Sequence, residues 1–282
     1  MCARIRPDVS PPTGERRQVP VMSFRRPGGP LFVAVLSIVT PSICRSQTLE
    51  TETARLLPAG RWEIGNAFEF QTSAEGTETA VPFAIEYGLT DNLELLVEPV
   101  PYTAIRPKIG RHATGLGDVE GTLTWRFLQE GRSRPALAFA AEIKIPTAED
   151  SLIGTDLTDY AAYLIVSKRL GRFDLHMNAA YTLIGQPATV HLNNTFNFAV
   201  AAVFRTGPAL EIFGEVLGTT SSTPGAETSS GTAVVPEASG GELVGTVGLG
   251  REVGRSLLAY LAVSYDNNNA VLLRPGLTLR LR

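Results

Sequence analysis

Asp118-Val-Glu-Gly-Thr-Leu-Thr-Trp-Arg-Phe127 decides the fold. Val119, Leu123, Trp125 and Phe127 alternate with Asp118, Glu120, Thr122, Thr124 and Arg126. Successive side chains of a strand point to opposite faces, so this stretch makes a strand with one oily and one polar face. The same stripe recurs downstream. Leu137, Phe139, Ala141, Ile143 and Ile145 oppose Glu142 and Lys144, and Phe173, Leu175, Met177, Ala179 and Tyr181 oppose Asp174, His176, Asn178 and Thr182. Phe196, Phe198, Val200, Ala202 and Phe204 oppose Thr195 and Asn197, and Leu277, Leu279 and Leu281 oppose Thr278, Arg280 and Arg282.

Weaker copies fill the intervals. Residues 61–71 carry Trp62, Ile64, Phe68 and Phe70, with Asn66 breaking the stripe, and Val81, Phe83, Ile85 and Tyr87 follow. Leu93, Leu95 and Val97 oppose Glu94 and Glu98, and Leu210, Ile212 and Val216 oppose Glu211 and Glu215. Residues 243–249 and 257–265 add two more strands, while 160–168 is apolar on both faces and leaves its phase open. The sum is an all-β chain of about twelve strands, a single antiparallel up-and-down transmembrane β-barrel over 61–282.

The connections give direction. Short turns are expected at 88–92, 130–134, 170–172, 206–208 and 251–255, with long loops at 103–115, 146–158, 184–193 and 219–240. Outer-membrane barrels have short periplasmic turns and longer outer loops. On that rule the amino end is periplasmic and the long loops face outward. Trp62, Tyr87, Phe127, Phe173 and Phe204 then ring one rim, and Phe70, Tyr181 and Tyr265 the other. Such rings suit a boundary that is oily on one side and wet on the other.

Residues 1–46 read differently. Arg25 and Arg26 precede an apolar run at 31–39, and Ser46 precedes Gln47, which is the pattern of a cleaved export signal with Met22 as the true start. The run is shorter than the roughly 20 residues a spanning helix needs. A lipoprotein reading at Cys44 is disfavoured by bulky Ile43. Residues 47–60 are then expected as a periplasmic segment ahead of the barrel. Both cysteines, Cys2 and Cys44, precede the cut. Removing the seven Arg and two acids of residues 1–46 from the chain's 25 basic and 28 acidic residues leaves 18 and 26, a net charge of −8. Nucleic-acid binding needs the opposite sign.

Alternating strands also build soluble barrels, in which the oily face points inward. The export signal, the loop alternation and the two aromatic rims favour lipid outside and water inside. The inward candidates are Glu94, Glu98, Asp118, Glu120, Arg126, Glu142, Lys144, Asp174, His176, Glu211, Glu215, Arg274 and Arg280. They can line a pore, or pair across strands and fill it. The chain carries no metal constellation: His112, His176 and His191 lack a second histidine at ligand spacing. His176 has no serine nearby in sequence, so it is expected as a polar lumen residue rather than a catalytic one. Gly115-Leu-Gly-Asp118 opens a strand, which excludes a nucleotide loop. No cofactor and no catalytic residue is expected.

Three segments carry a resemblance: Glu86-Tyr-Gly-Leu-Thr-Asp-Asn-Leu-Glu-Leu95, Thr114-Gly-Leu-Gly-Asp118 and Lys144-Ile-Pro-Thr147. Together they resemble the outer-membrane barrel family named for the meta pathway of phenol degradation. Ala148 stands where that family usually has Gly, and Leu281-Arg282 replaces the aromatic end common in outer-membrane barrels. The resemblance implies an outer-membrane location and passage of hydrophobic or aromatic compounds. The expectation is therefore a passive channel for small solutes, in contact with lipid and inserted by the barrel assembly machinery. The alternatives are a closed structural or ligand-binding barrel, an enzyme using His176, and an adhesin working through the 219–240 loop.

Overall fold

The computed structural model describes residues 49–188, 191–222 and 241–281. The export signal and Met22 fall outside them, as does most of the 219–240 loop. The described strands form one closed antiparallel barrel of twelve staves. Stave one is β1 (Trp62–Ala67) continued by β2 (Glu69–Thr72), and stave two is β3 (Gly76–Ala80) continued by β4 (Phe83–Thr90). Stave three is β5 (Leu93–Glu98) with β6 (Thr103–Pro107), and stave four is β7 (Ala113–Gly115) with β8 (Val119–Leu128). Staves five to eight are β9 (Ala136–Ile145), β10 (Asp159–Leu170), β11 (Phe173–Leu183) and β12 (Thr195–Arg205). Staves nine to twelve are β13 (Leu210–Thr219), β14 (Glu242–Val253), β15 (Leu257–Asp266) and β16 (Val271–Leu281).

β16 closes the barrel on stave one. Trp62 pairs with Leu281 and Ala67 with Gly276, and the same register continues to Phe70 against Leu273. Among the described residues closure pairs every strand on both sides except the short β7, which pairs only with β6. Lipid requires this of the spanning part, because unpaired backbone groups there cost several kcal/mol each. Leu123, Trp125, Phe139, Leu164, Met177, Phe198 and Val247 lie exposed on the outside. Glu94, Thr122, Lys144, Ser167, His176, Asn197, Thr246 and Arg274 are buried inside. This is the inverse of a soluble barrel. In stave six, Ala161, Tyr163, Ile165 and Ser167 are buried and Tyr160 and Leu164 exposed, which fixes the open phase. At the short-turn rim Trp62 stacks on Tyr87 at 4.3 Å and Phe173 on Phe204 at 4.8 Å.

Two details depart from the sequence reading. The expected 103–115 loop is the strand pair β6 and β7, so staves one to four rise further than the rest. The turns joining β2 to β3 and β15 to β16 are short although they lie at the long-loop rim, so the alternation of short and long is not strict. Prolines break staves two and three. Pro82, Pro99 and Pro101 lack the N–H a ladder needs. Single bonds bridge the gaps, Ala67 N to Pro82 O at 3.1 Å and Val81 N to Tyr102 O at 2.9 Å. Asn66, the polar exception on its stripe, donates its side-chain N–H to Pro82 O.

Candidate functional site

The lumen is occupied by the chain itself. Residues 47–60 were expected as a periplasmic segment, but the described part from 49 to 57, the strap, lies inside the barrel, and every one of its residues except Arg55 is buried. The strap enters no strand ladder. Wall backbone groups are spent on neighbouring staves, so strap backbone groups must find side chains. They do. Glu215 accepts from Leu49 N and, at 3.0 Å, from Glu50 N, and also from the Thr51 hydroxyl at 3.3 Å. Asn178 pairs both ways with Glu52, accepting from its N–H at 2.5 Å and donating to its carbonyl at 2.9 Å. Ser167 Oγ accepts from Ala54 N at 2.9 Å, and Glu94 accepts from Leu57 N.

Side chains complete the seat. Arg274 lies between strap Glu50 and wall Glu69, the latter at 2.8 Å. Arg55 pairs with Asp174 at 2.8 Å and with Glu130 at 2.9 Å. Asp174 also meets Arg169 at 2.8 Å and Arg205 at 2.7 Å. Glu130 sits in the β8–β9 turn. Burial opposes its ionisation, but the Arg169 N–H, the Arg55 guanidinium and Lys168 outweigh burial and hold the carboxyl below the ordinary glutamate range. Leu49 packs with Val203, Phe213, Tyr260 and Ala262, and Ala54 packs on a floor that includes Ala138, Ala140 and Ala180. The Phe213 and Tyr260 rings lie over Gly248 and Gly276, where a Cβ would come within 2.4 Å of a ring atom.

The strap leaves at the short-turn rim. Ala59 N donates to Asp91 at 3.1 Å, and Gly60 N to Gly88 O at 2.8 Å. A Cβ on Gly88 would fall 2.2 Å from Pro58 O and 2.7 Å from Leu57 O, so only glycine lets the strap pass. Gly88, Asp91 and Glu94 all belong to the Glu86–Leu95 segment that carries the family resemblance. The other two segments also meet. Asp118 accepts from Thr147 N and Ala148 N at 3.0 Å, Thr147 Oγ1 donates to Gly117 O at 2.9 Å, and Lys144 lies 3.8 Å from Asp118 and 2.5 Å from Asp159.

The inward candidates therefore fall into separate groups. Glu94, Asp174 and Glu215 hold the strap directly, and Arg274 does so through Glu50. Glu142 accepts from Tyr163 OH at 2.9 Å and Thr122 Oγ1 at 3.2 Å, with Glu120 and strap Glu52 near enough to act on its charge. Glu98 and Glu211 are buried on the inner face. Asp118 and Lys144 organise the long-loop rim. Arg126 donates to Asp91 O, and Arg280 pairs with Glu63 at 3.2 Å and Glu252 at 3.1 Å. His176 Nδ1 lies 2.9 Å from Ser167 Oγ, a neighbour the sequence hides because the two residues meet across the β10–β11 ladder. Ser167 is fully buried under the strap. Asp174, the next inward acid on β11, points its carboxylate into three arginines. Ser167, His176 and Asp174 thus form a strap anchor rather than a hydrolytic triad. The strap itself was missed, since 49–57 has no period and its partners Asn178 and Glu215 lie more than a hundred residues away.

No protein-family model matches the chain, and no curated protein matches it. Solved structures do. An outer membrane channel from Pseudomonas putida F1 aligns with TM-score 0.59 at 13% identity, covering 86% of this chain and all of that one. The NanC porin aligns at 0.54 and 9% identity, over 77% of this chain and all of that one. The KdgM porin in complex with disordered oligogalacturonate aligns at 0.52 and 10% identity, over 78% and 99%. At these identities the likeness is one of fold.

Proposed function

We propose that this chain is an outer-membrane channel for small solutes, closed at rest by its own strap. The observation that carries the reading is the strap's seat: an irregular segment held by side chains can leave without breaking one barrel ladder. The apolar outside and the similarity to outer-membrane barrels support the location. Export would use the signal in 1–46, and insertion the barrel assembly machinery. Among the described residues His176 and Ser167 are taken up under the strap, which supports the channel reading.

Gly88→Ala in the full chain tests this. The added methyl meets two strap carbonyls, so the strap's exit is displaced while the barrel stays closed. Heat-modifiable migration on a detergent gel checks closure, and planar-bilayer recording is expected to show openings far more frequent than in the parent. A closed barrel whose conductance stays at the parent level counts for a structural barrel and against a channel.

A second reading keeps the cargo implied by the resemblance. Leu49 occupies an apolar recess at Phe213 and Tyr260, which would take an aromatic ring once the strap has left. Block of single-channel current by a neutral aromatic alcohol, weakened by Phe213→Ala, would support it. Current unaffected at any concentration would remove it.

A further inference from the structure

The wall meets the strap backbone mainly with acceptors, although Asn178 also donates to the Glu52 carbonyl. The amides of Leu49, Glu50, Glu52, Ala54 and Leu57 each donate to a wall side chain, and the acceptors are Glu215, Asn178, Ser167 and Glu94. Two of these four are carboxylates. Whatever replaces the strap meets the same acceptors, and a buried acceptor left without a donor costs about 1–3 kcal/mol. The occupant that fits therefore brings hydrogen-bond donors, and the Thr51 hydroxyl on Glu215 shows that O–H serves as well as N–H, so charge must decide between them.

Charge gives a second, independent observation. From the level of Glu94 up to that of Lys144 the inner face carries Glu94, Glu98, Asp118, Glu120, Glu142 and Glu215, together with Glu69 and Asp159. Among the described residues the cations at that depth are Arg274 and Lys144, which lie 2.8 Å from Glu69 and 2.5 Å from Asp159. The wall there is net negative. The short-turn mouth is nearer balance once Arg55 has gone, with Lys168, Arg169 and Arg205 facing Asp174 and Glu130. A narrow acidic passage with low-dielectric walls concentrates cations and repels anions.

We infer that the open lumen selects cations bearing N–H donors, the class of alkylammonium and guanidinium solutes and short basic peptides. The inference rests on the channel reading and names its substrate class. Opening exposes Glu94 and Glu215 just as the strap amides leave them, so the ammonium or guanidinium group takes over bonds already shaped for N–H. The aromatic recess accommodates the apolar part of such a solute.

Openings of the full chain in a planar bilayer, under a tenfold KCl gradient, test it. The reversal potential is expected on the potassium side, with potassium favoured several-fold over chloride. Combining Glu94→Gln, Glu142→Gln and Glu215→Gln should bring it towards zero. A companion measurement leaves these wall carboxylates intact: liposomes carrying Gly88→Ala should swell several-fold faster in arginine than in glutamate, two solutes of similar size. Channels that conduct without preference, or favour chloride and glutamate, overturn the selectivity and leave the channel standing. A barrel that never conducts overturns both.

Discussion

Ser167 shows how much one inward hydroxyl decides. Its Oγ accepts from Ala54 N and lies beside His176 Nδ1, so it joins strap to wall at a fully buried point. Ser167→Ala leaves a buried N–H without its acceptor, a loss of about 1–3 kcal/mol. Since about 1.4 kcal/mol is a factor of ten in an equilibrium, the open fraction should rise roughly tenfold, readable as open probability in single-channel records. The Arg55 latch answers to acid. Glu130 is held below the ordinary glutamate range, so it binds fewer protons in the seated state than in the released one. The Arg169 N–H and Lys168 stay with the wall, so only the part of the lowering due to Arg55 is at stake. That share is complete above the released-state value and disappears as the pH falls through the seated one. Openings should become more frequent below about pH 4 for this group, and Glu130→Gln should flatten that part of the pH profile.

At the scale of elements, period-two alternation carried nearly everything that backbone geometry requires. β8, β11 and β12 were legible because lipid and lumen make opposite demands on successive residues. The exceptions have local causes. Asn66 is polar on an oily stripe because it serves the carbonyl of Pro82, and 103–115 pairs as a hairpin although its sequence shows only loop signals. The same logic predicts the cost of crossing faces. Val200 lies at the centre of β12, exposed and outward, beside buried Ala201. Val200→Arg places a cation at the midplane of the hydrocarbon and should cost about 2–4 kcal/mol, measured by denaturant unfolding from lipid bilayers. An arginine at a rim position such as Phe173 should cost much less, because its head can reach water.

The whole molecule is a barrel and a segment that share one chain but not one set of forces. Backbone ladders hold the staves, whereas side chains hold the strap, and this separation is why the strap escaped a reading based on period. It also makes the strap separable in experiment. Thr53 Oγ1 lies 3.4 Å from Ser167 Oγ, so two sulfurs placed there would face each other at near bonding reach. The chain's own cysteines are Cys2 and Cys44, both ahead of the barrel, so a background without these two carries no competing thiol. Thr53→Cys with Ser167→Cys should then behave as a redox lock. Oxidised protein is expected to show almost no openings, and a reductant should return them to at least the parent frequency. Either single cysteine should be indifferent to oxidant. Full conductance with the disulfide formed, verified by mass, would mean that solutes pass beside a seated strap, and the wall contacts of 49–57 would then serve stability alone.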